Sequence, residues 1–473
     1  MKFPIGTNWI GAAIVALVVI AGSIWQIAPQ FRTYVTHSTK VVNGGSAGTT
    51  TGSGGQTPAP GQHGTVAGAA VPAGLQCAPG KNGGATDVGV TGSEIKLAST
   101  VAESGPGSAF LGDARYGMLA VVNAVNRQGG ICGRKLSMNL VDDAWDPSTG
   151  HQDIRNFIAE NYFALSVVPS SEGLNASSIP PEGSNDIDRA GIPVIGTDGM
   201  LISQYNDPWI WPVASSTIST SHIAAYQGYH AGSRTFGIVW DKRYKFGQEG
   251  EKAFDAAVRR MGGTISVDVP VDPDKQDYGT DVQTFESGCH PCDYTFMLLE
   301  PDTAIAWINS DKSAGHYIFG RKETSGPQPL FVSTFGQQCG SLCNNMWVWT
   351  GFQAPWPPFD QEPAVSSFVN SIRGISASAD TSNQFLEGAY VGMKLLVKAL
   401  QQVGPYVTRA RLKQVLDSMT FDSGVTQPLS WRPGDHFANT SMLGFTIQYS
   451  GGFNGFQYQN TGWIKDPWVG KDQ

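Results

Sequence analysis

Short apolar runs and amphipathic segments alternate along the chain from residue 95 onward. The predicted strands are Ile95–Val101, Lys135–Val141, Phe163–Val168, Ile192–Ile195, Thr235–Trp240, Ile265–Val269 and Asp293–Leu299. The intervening segments are Asp113–Gln128, Ile154–Glu160, Gln248–Met261 and Val282–Glu286. Strands separated by amphipathic helices indicate βαβ units and parallel sheets. The pattern therefore predicts an α/β protein built from two successive α/β units.

The N-terminal segment has a different pattern, because the 19 residues Trp9–Ile27 carry no charge. As a helix this segment spans about 28 Å, close to the thickness of a bilayer core. One interpretation is a signal peptide cleaved near Ala21-Gly22-Ser23. We favour an uncleaved transmembrane helix after a short tail, 1–8, because the apolar run continues past that site through Trp25.

Residues 28–87 are rich in Gly, Ser, Thr, Ala and Pro. Such a composition buries too little apolar surface to fold, which predicts a flexible linker with a reach of about 40–45 Å. All six cysteines follow the apolar segment, as expected for an exported body. The expected location is the cell membrane with the body extracytoplasmic, or secreted if the segment is cleaved.

Composition and motifs narrow the function classes. The chain has 473 residues, of which 31 are Lys or Arg and 39 are Asp or Glu, for a net charge of −8. This balance argues against nucleic acid as a partner, since nucleic-acid binders usually carry a basic face. Outside the low-complexity segment 28–87, the sequence has no nucleophile elbow, phosphate loop or zinc-protease motif, so we expect neither an enzyme nor a cofactor.

Several short motifs then occur in a familiar order. They are Glu94-Ile95-Lys96-Leu97, Ser104-Gly105-Pro106, Gly129-Gly130-Ile131-Cys132-Gly133-Arg134, Asp142-Asp143-Ala144-Trp145-Asp146-Pro147, Gly237-Ile238-Val239-Trp240-Asp241 and Val425-Thr426-Gln427-Pro428. Together they resemble the type I periplasmic binding proteins of the leucine/isoleucine/valine-binding family, over residues 88–470. The acidic residues at 142–146 are interpreted as turn and helix-cap residues.

The resemblance implies two Rossmann-like lobes joined by a hinge, with parallel central sheets and the ligand between them. It places lobe one at 88–215 plus 331–425 and lobe two at 216–330 plus 426–473. Ligands of open α/β sheets bind outside the carboxyl ends of the strands, which agrees with a site between the lobes.

The resemblance also suggests ligand-binding residues. In lobe one, Ser170 and Ser171 occupy the position of the family's carboxylate-binding serine, and the next loop brings Thr197, Asp198 and Gly199. The remaining candidates are Phe110, Tyr244, Phe246, Glu300 and Phe335. Tyr244 and Phe246 lie where the family has an aromatic lid, Glu300 aligns with its second lid tyrosine, and Phe335 replaces its ammonium-binding acid. These departures suggest a ligand that is not a simple α-amino acid.

The six cysteines allow more than one interpretation. Cys289-His290-Pro291-Cys292 has redox spacing, but it precedes a strand and lacks the helix that lowers a thiol pKa. A zinc site with Cys339 and Cys343 is a second alternative. Because an exported context favours disulfides, we predict the pairs Cys77–Cys132, Cys289–Cys292 and Cys339–Cys343 and no metal.

The sequence therefore predicts a membrane-tethered solute-binding protein for an ABC-type permease. Its ligand is expected to be an amino-acid-like, aromatic or apolar small molecule. The alternative is a membrane-anchored ligand sensor or surface interaction protein that keeps the fold without transport.

Overall fold

The computed structural model describes residues 74–166, 170–289, 292–315 and 323–472. The strands are β1 (Glu94–Val101), β2 (Lys135–Asp142), β3 (Ala164–Ser166), β4 (Val194–Ile195), β5 (Ile210–Trp211), β6 (Thr235–Asp241), β7 (Thr264–Val271), β8 (Tyr294–Leu298), β9 (Glu323–Ser325), β10 (Trp347–Thr350), β11 (Thr420–Phe421), β12 (Leu429–Ser430), β13 (Ser441–Tyr449), β14 (Phe453–Tyr458) and β15 (Ile464–Lys465). The α-helices are α1 (Ser108–Leu111), α2 (Ala114–Arg127), α3 (Pro147–Ala159), α4 (Ser171–Ser177), α5 (Asp186–Ala190), α6 (Ser203–Asn206), α7 (Thr217–His230), α8 (Lys245–Met261), α9 (Gly279–Gly288), α10 (Pro301–Ser313), α11 (Ser333–Cys339), α12 (Pro363–Arg373), α13 (Gln384–Val403) and α14 (Arg409–Leu416).

Two large sheets, one in each lobe, contain all the described strands except the β11–β12 pair. The first sheet has the order β2-β1-β3-β4-β5 and is parallel throughout. The second has the order β14-β13-β10-β9-β8-β6-β7, with β15 paired to β13. Its strands β6 to β10 are parallel, and β13 and β14 add an antiparallel edge. The predicted α/β class with parallel sheets is confirmed.

The lobe boundaries differ from those expected. Residues 331–425 were assigned to lobe one, but β10 pairs with β9 and β13 of the second sheet. The return to lobe one comes after β10, where α12 and α13 pack against α2. The β11–β12 pair also belongs to lobe one, since Phe421, Leu429 and Trp431 lie in its apolar core. A short apolar strand carries no information about which sheet it joins, so the sequence could not decide this point.

The ends of the helices follow from local chemistry. Asp146 begins α3 by accepting a hydrogen bond from the Thr149 amide at 2.8 Å, and Pro147 occupies the first helical position. Gly262 ends α8 with a φ of +87°, a conformation that glycine adopts without strain. The interpretation of Asp146 as a cap is confirmed.

The last part of the predicted flexible linker, 28–87, is packed on the fold, and residues 28–73 lie outside the described residues. Leu75 forms a β-bridge with Ile131, and Cys77 is bonded to Cys132 in the same turn. The fully buried Arg134 donates hydrogen bonds to the Asn82 and Gly84 carbonyls. Residues 74–87 therefore pack on lobe one.

The predicted membrane segment, Trp9–Ile27, lies outside the described residues. Within the part of the chain that the structure describes, no helix combines the length and the apolar character needed to cross a bilayer.

Candidate ligand-binding cleft

The two lobes meet at the carboxyl ends of their parallel strands. Lobe one contributes Phe110, Trp145 and Met200 to the same continuous apolar cluster that holds Tyr244 and Phe246 of lobe two. All five side chains are buried. The lobes are therefore closed on each other, and their facing loops form the candidate site.

Aromatic rings line the contact between the lobes. Trp145 lies with its ring centroid 4.4 Å from that of Tyr244 and 6.3 Å from that of Phe246. Phe110 packs edge-on against Trp145 at 5.3 Å and against Phe385, in the first turn of α13, at 5.4 Å. Three predicted residues, Phe110, Tyr244 and Phe246, are thus brought together around one tryptophan.

Trp145 was not among the predicted site residues, although it stands in the motif that carried the resemblance. Its backbone is left-handed, with a φ of +57°, and its amide donates to Asp143 Oδ1 at 2.9 Å. The indole Nε1 is buried and has no hydrogen-bond partner among the described residues. The sequence signal that could have identified Trp145 as a site residue was its position directly after a strand of the first sheet.

Ser170 and Ser171 begin α4 at the end of β3, as the resemblance implied. Both side chains are buried. Burial raises the pKa of the neighbouring Asp143 to about 6, and the hydroxyl of Ser170 opposes this rise. A carboxyl group and two hydroxyls therefore lie at the end of the same sheet.

The loop after β4 is also buried. Asp198 Oδ1 accepts from Gln204 Nε2 at 2.7 Å, and the Gly199 amide donates to Gln204 Oε1 at 3.0 Å. Gly199 has a φ of +70°, and a Cβ there would lie 2.6 Å from Tyr205 Oη, so glycine is required. The Thr197 hydroxyl is buried, and no described residue forms a hydrogen bond with it. Burial raises the pKa of Asp198 to about 7.

Two glutamates that the sequence analysis did not select join the lobes. Glu172 of α4 accepts from the Lys245 amide, the first of α8, at 2.8 Å. In the opposite direction, Glu249 of α8 accepts from the Ile202 amide of lobe one at 3.0 Å. Burial raises the pKa of Glu172 to about 7 and that of Glu249 to about 8. The sequence does not predict these contacts, because each donor amide is distant in sequence from the glutamate that it bonds.

Glu300 and Phe335 lie in lobe two. Glu300 caps its own helix, accepting from the Thr303 amide at 2.7 Å and the Asp302 amide at 2.8 Å, so both carboxylate oxygens are engaged. Its charge lies near Asp241, whose pKa is raised to about 7 by burial, with a further contribution from Glu300. Phe335 joins the same apolar cluster from α11.

The cysteines are paired as Cys77–Cys132, Cys289–Cys292 and Cys339–Cys343, which are the predicted pairs. Among the described residues, no group of three or more His, Cys, Asp or Glu side chains is arranged to hold a metal ion.

Comparisons with known proteins agree with this architecture. The sequence model of the family described as "Periplasmic binding protein" matches residues 94–452. Comparison with curated protein sequences finds no match.

Solved structures with the same fold include the following three binding proteins. A Rhodopseudomonas (R. palustris) solute-binding protein in complex with 4-hydroxybenzoate has a TM-score of 0.67 and 15% identity, over 79% of this chain and 98% of that chain. A fatty acid ABC transporter substrate-binding protein from Thermomonospora curvata has a TM-score of 0.65 and 14% identity, over 80% and 94%. A possible leucine/isoleucine/valine-binding protein from Rhodopirellula baltica SH 1 has a TM-score of 0.65 and 16% identity, over 78% and 96%.

Proposed function

The chain belongs to the periplasmic binding protein family, and on this premise we propose that it is an extracytoplasmic solute-binding protein. It captures a small molecule between its lobes and delivers the molecule to an ABC-type permease. The observation that carries the proposal is the meeting of aromatic and polar side chains from both lobes at the carboxyl ends of the parallel strands, where open α/β sheets bind ligands.

The mechanism is binding and closure. A ligand that contacts both lobes favours the closed form by its differential affinity for that form, without any bond being made or broken. Trp145 and Tyr244 supply the stacking surface, and Ser170, Ser171 and Thr197 supply polar contacts from lobe one. We include Phe110, Asp198, Gly199, Phe246, Glu300 and Phe335 in the proposed site.

The proposed ligand is amino-acid-like or an aromatic or apolar organic molecule. The leucine/isoleucine/valine-binding subfamily stays a prediction, since the proteins of similar structure include binders of 4-hydroxybenzoate and of fatty acids. We further propose that residues 9–27 anchor the protein in the membrane. Membrane fractionation tests this, because a cleaved protein would appear in the soluble fraction.

Thermal unfolding of the full chain against amino acids, aromatic acids, amides, sugars and polyamines tests the binding function. A ligand at 100 times its Kd stabilises the protein by about 2.7 kcal/mol. Phe246→Ala should abolish the response, whereas Tyr406→Ala, at a side chain that is 54% exposed, should retain it. A folded protein that responds to no class of ligand would contradict the proposal.

A second candidate function is a sensor or interaction protein that keeps the fold without transport. The direct packing of Trp145 on Tyr244 favours it, because the chain's own rings occupy the contact between the lobes. Saturable ligand binding together with capture of a permease would argue against this alternative.

A further inference from the structure

Helix α8 directs its N-terminus at lobe one, and a side chain of lobe one fills the position in front of it. Glu172 Oε1 accepts from the Lys245 amide at 2.8 Å, and the Phe246 amide also bonds this carboxylate. The first amides of a helix have no partner within the helix, and the dipole of this 17-residue helix attracts negative charge. Glu172 therefore occupies the place where a ligand anion would bind.

The position is enclosed as well as filled. Glu172 is only 8% exposed, and Tyr244, the residue before Lys245, packs on Trp145 between the lobes. The reciprocal bond from the Ile202 amide to Glu249, one turn further along α8, holds the same helix against lobe one. A second anion would have to displace the carboxylate of Glu172 from these amides.

The surroundings of Glu172 are rich in carboxyl groups. The charge of Glu172 contributes to the raised pKa values of Asp198, Asp241 and Glu249, which burial raises first. The nearest balancing cation, the Lys245 ammonium, lies 2.6 Å from Glu182 and is shared with that carboxylate. At a pH where these carboxyl groups are ionised, an incoming anion would therefore meet repulsion from both lobes.

We propose, building on the binding function above, that Glu172 determines the charge of the ligand. Its carboxylate fills the anion position at the N-terminus of α8, so the cleft accepts neutral or cationic molecules and rejects anions. An aromatic wall formed by Trp145, Tyr244 and Phe246 suits such molecules, because ring faces attract cations and apolar groups alike.

Three probes that share one ring and differ in charge test the proposal on the full chain: benzyl alcohol, benzyltrimethylammonium and benzoate. At pH 8, where Glu172 is ionised, we expect calorimetry to show that benzoate binds the wild type at least about tenfold more weakly than the other two. Glu172→Gln should strengthen benzoate binding about tenfold, since the amide keeps an acceptor oxygen but removes the charge. Glu182→Gln is the matched control, because it removes a neighbouring charge that does not touch the α8 amides.

The outcomes separate this inference from the function on which it rests. Equal or tighter binding of benzoate to the wild type would overturn the charge selection and leave the binding function intact. A folded protein that binds none of these probes, and none of the broader ligand panel, would overturn both.

A rescue experiment tests the anion position without reference to any cleft ligand. Glu172→Ala removes the carboxylate from the α8 amides. Acetate should then raise the Tm of this variant more than chloride does at equal ionic strength, because acetate can bind where the carboxylate was. Wild type and Glu182→Ala should show no such preference. Absence of an acetate effect on a folded Glu172→Ala protein would overturn the proposal, and the benzoate measurement on Glu172→Gln decides it if the alanine variant does not fold.

Discussion

The interface between the lobes and the interior of lobe two each contain a buried tryptophan and a buried glutamate that caps a helix. At the interface, Trp145 packs on Tyr244, and Glu172 caps α8 of the other lobe. In lobe two, Glu300 caps its own helix α10, and Trp307 of that helix lies in the core.

The comparison shows that similar groups act on two different equilibria. Glu300 and its donors, the Asp302 and Thr303 amides, lie within three residues and stay together whenever lobe two is folded. Glu172 and the Lys245 amide are 73 residues apart and stay together only while the lobes are closed. The lobe-two pair therefore stabilises folding, whereas the interface pair stabilises closure.

The two tryptophans should give the largest effects. Trp307→Ala removes a fully buried ring that packs near Tyr278 and Phe285, and we expect it to lower the free energy of unfolding by about 3–5 kcal/mol. Trp145→Ala should weaken closure by a comparable amount and unfolding by less. Thermal unfolding measures the first effect, and hydrogen exchange at the Lys245 and Ile202 amides measures the second. Equal losses of Tm, with unchanged exchange at those two amides, would contradict the comparison.

A change of pH should act on the interface next most strongly. Burial raises the pKa of Glu172 to about 7 and of Glu249 to about 8, so the closed form binds more protons than an open or unfolded form. The stability that these groups contribute is complete below about pH 4.5 and is lost as the pH rises through 7 to 8. Between pH 5.5 and 8.5 we expect closure to weaken by a few kcal/mol.

Exchange rates corrected for the intrinsic effect of pH provide the measurement. The Lys245 and Ile202 amides should lose protection at pH 8.5, while Thr303, which donates to Glu300 inside lobe two, should keep it because opening does not expose that bond. The double variant Glu172→Gln/Glu249→Gln should lose most of this pH dependence. If exchange at the Lys245 and Ile202 amides of the wild type did not change with pH, the raised pKa values of the two glutamates would be contradicted.

The same pair of glutamates shows how far the sequence predicts the site. The cap at Glu300 has a local signal, since Pro301 fits the first position of a helix and both amide donors follow within three residues. The resemblance also predicts that Glu300 binds the ligand, which stays a prediction. Glu172 has no local signal, because its donor belongs to another lobe. Trp145 lies in one of the motifs that carry the resemblance, but it was not predicted to bind the ligand.

The fold was easier to predict from the sequence than the site, because hydrophobic periodicity depends only on residues that are close in sequence. The alternation of strands and helices predicted β1, β2, β6 and β8 closely. It did not predict the β13–β14 hairpin or the sheet to which β10 belongs, since those depend on pairing between distant segments. The disulfide pairs were predictable because each joins cysteines close in sequence or beside one turn.

Removing the helix caps should give smaller effects than removing the tryptophans. Glu300→Ala should lower the free energy of unfolding by about 1–2 kcal/mol and increase exchange at Asp302 and Thr303. Glu172→Ala should increase exchange at Lys245 and Phe246 by roughly 5- to 30-fold, with a smaller change in Tm. If Glu172→Ala instead lowers Tm as much as Glu300→Ala, the lobes would unfold as one unit and closure would not be a separate equilibrium.

The smallest effect is expected for the side-chain ion pair across the interface. Lys245 Nζ lies 2.6 Å from Glu182 Oε2, but the two side chains are 31% and 28% exposed. Such pairs contribute about 0–1 kcal/mol and are screened by salt. Glu182→Gln should therefore increase exchange at Lys245 less than about fivefold at low salt, and the difference should vanish in concentrated salt. An increase as large as that of Glu172→Ala would mean that the ammonium–carboxylate pair, and not the bond from Glu172 to the α8 amides, joins the lobes.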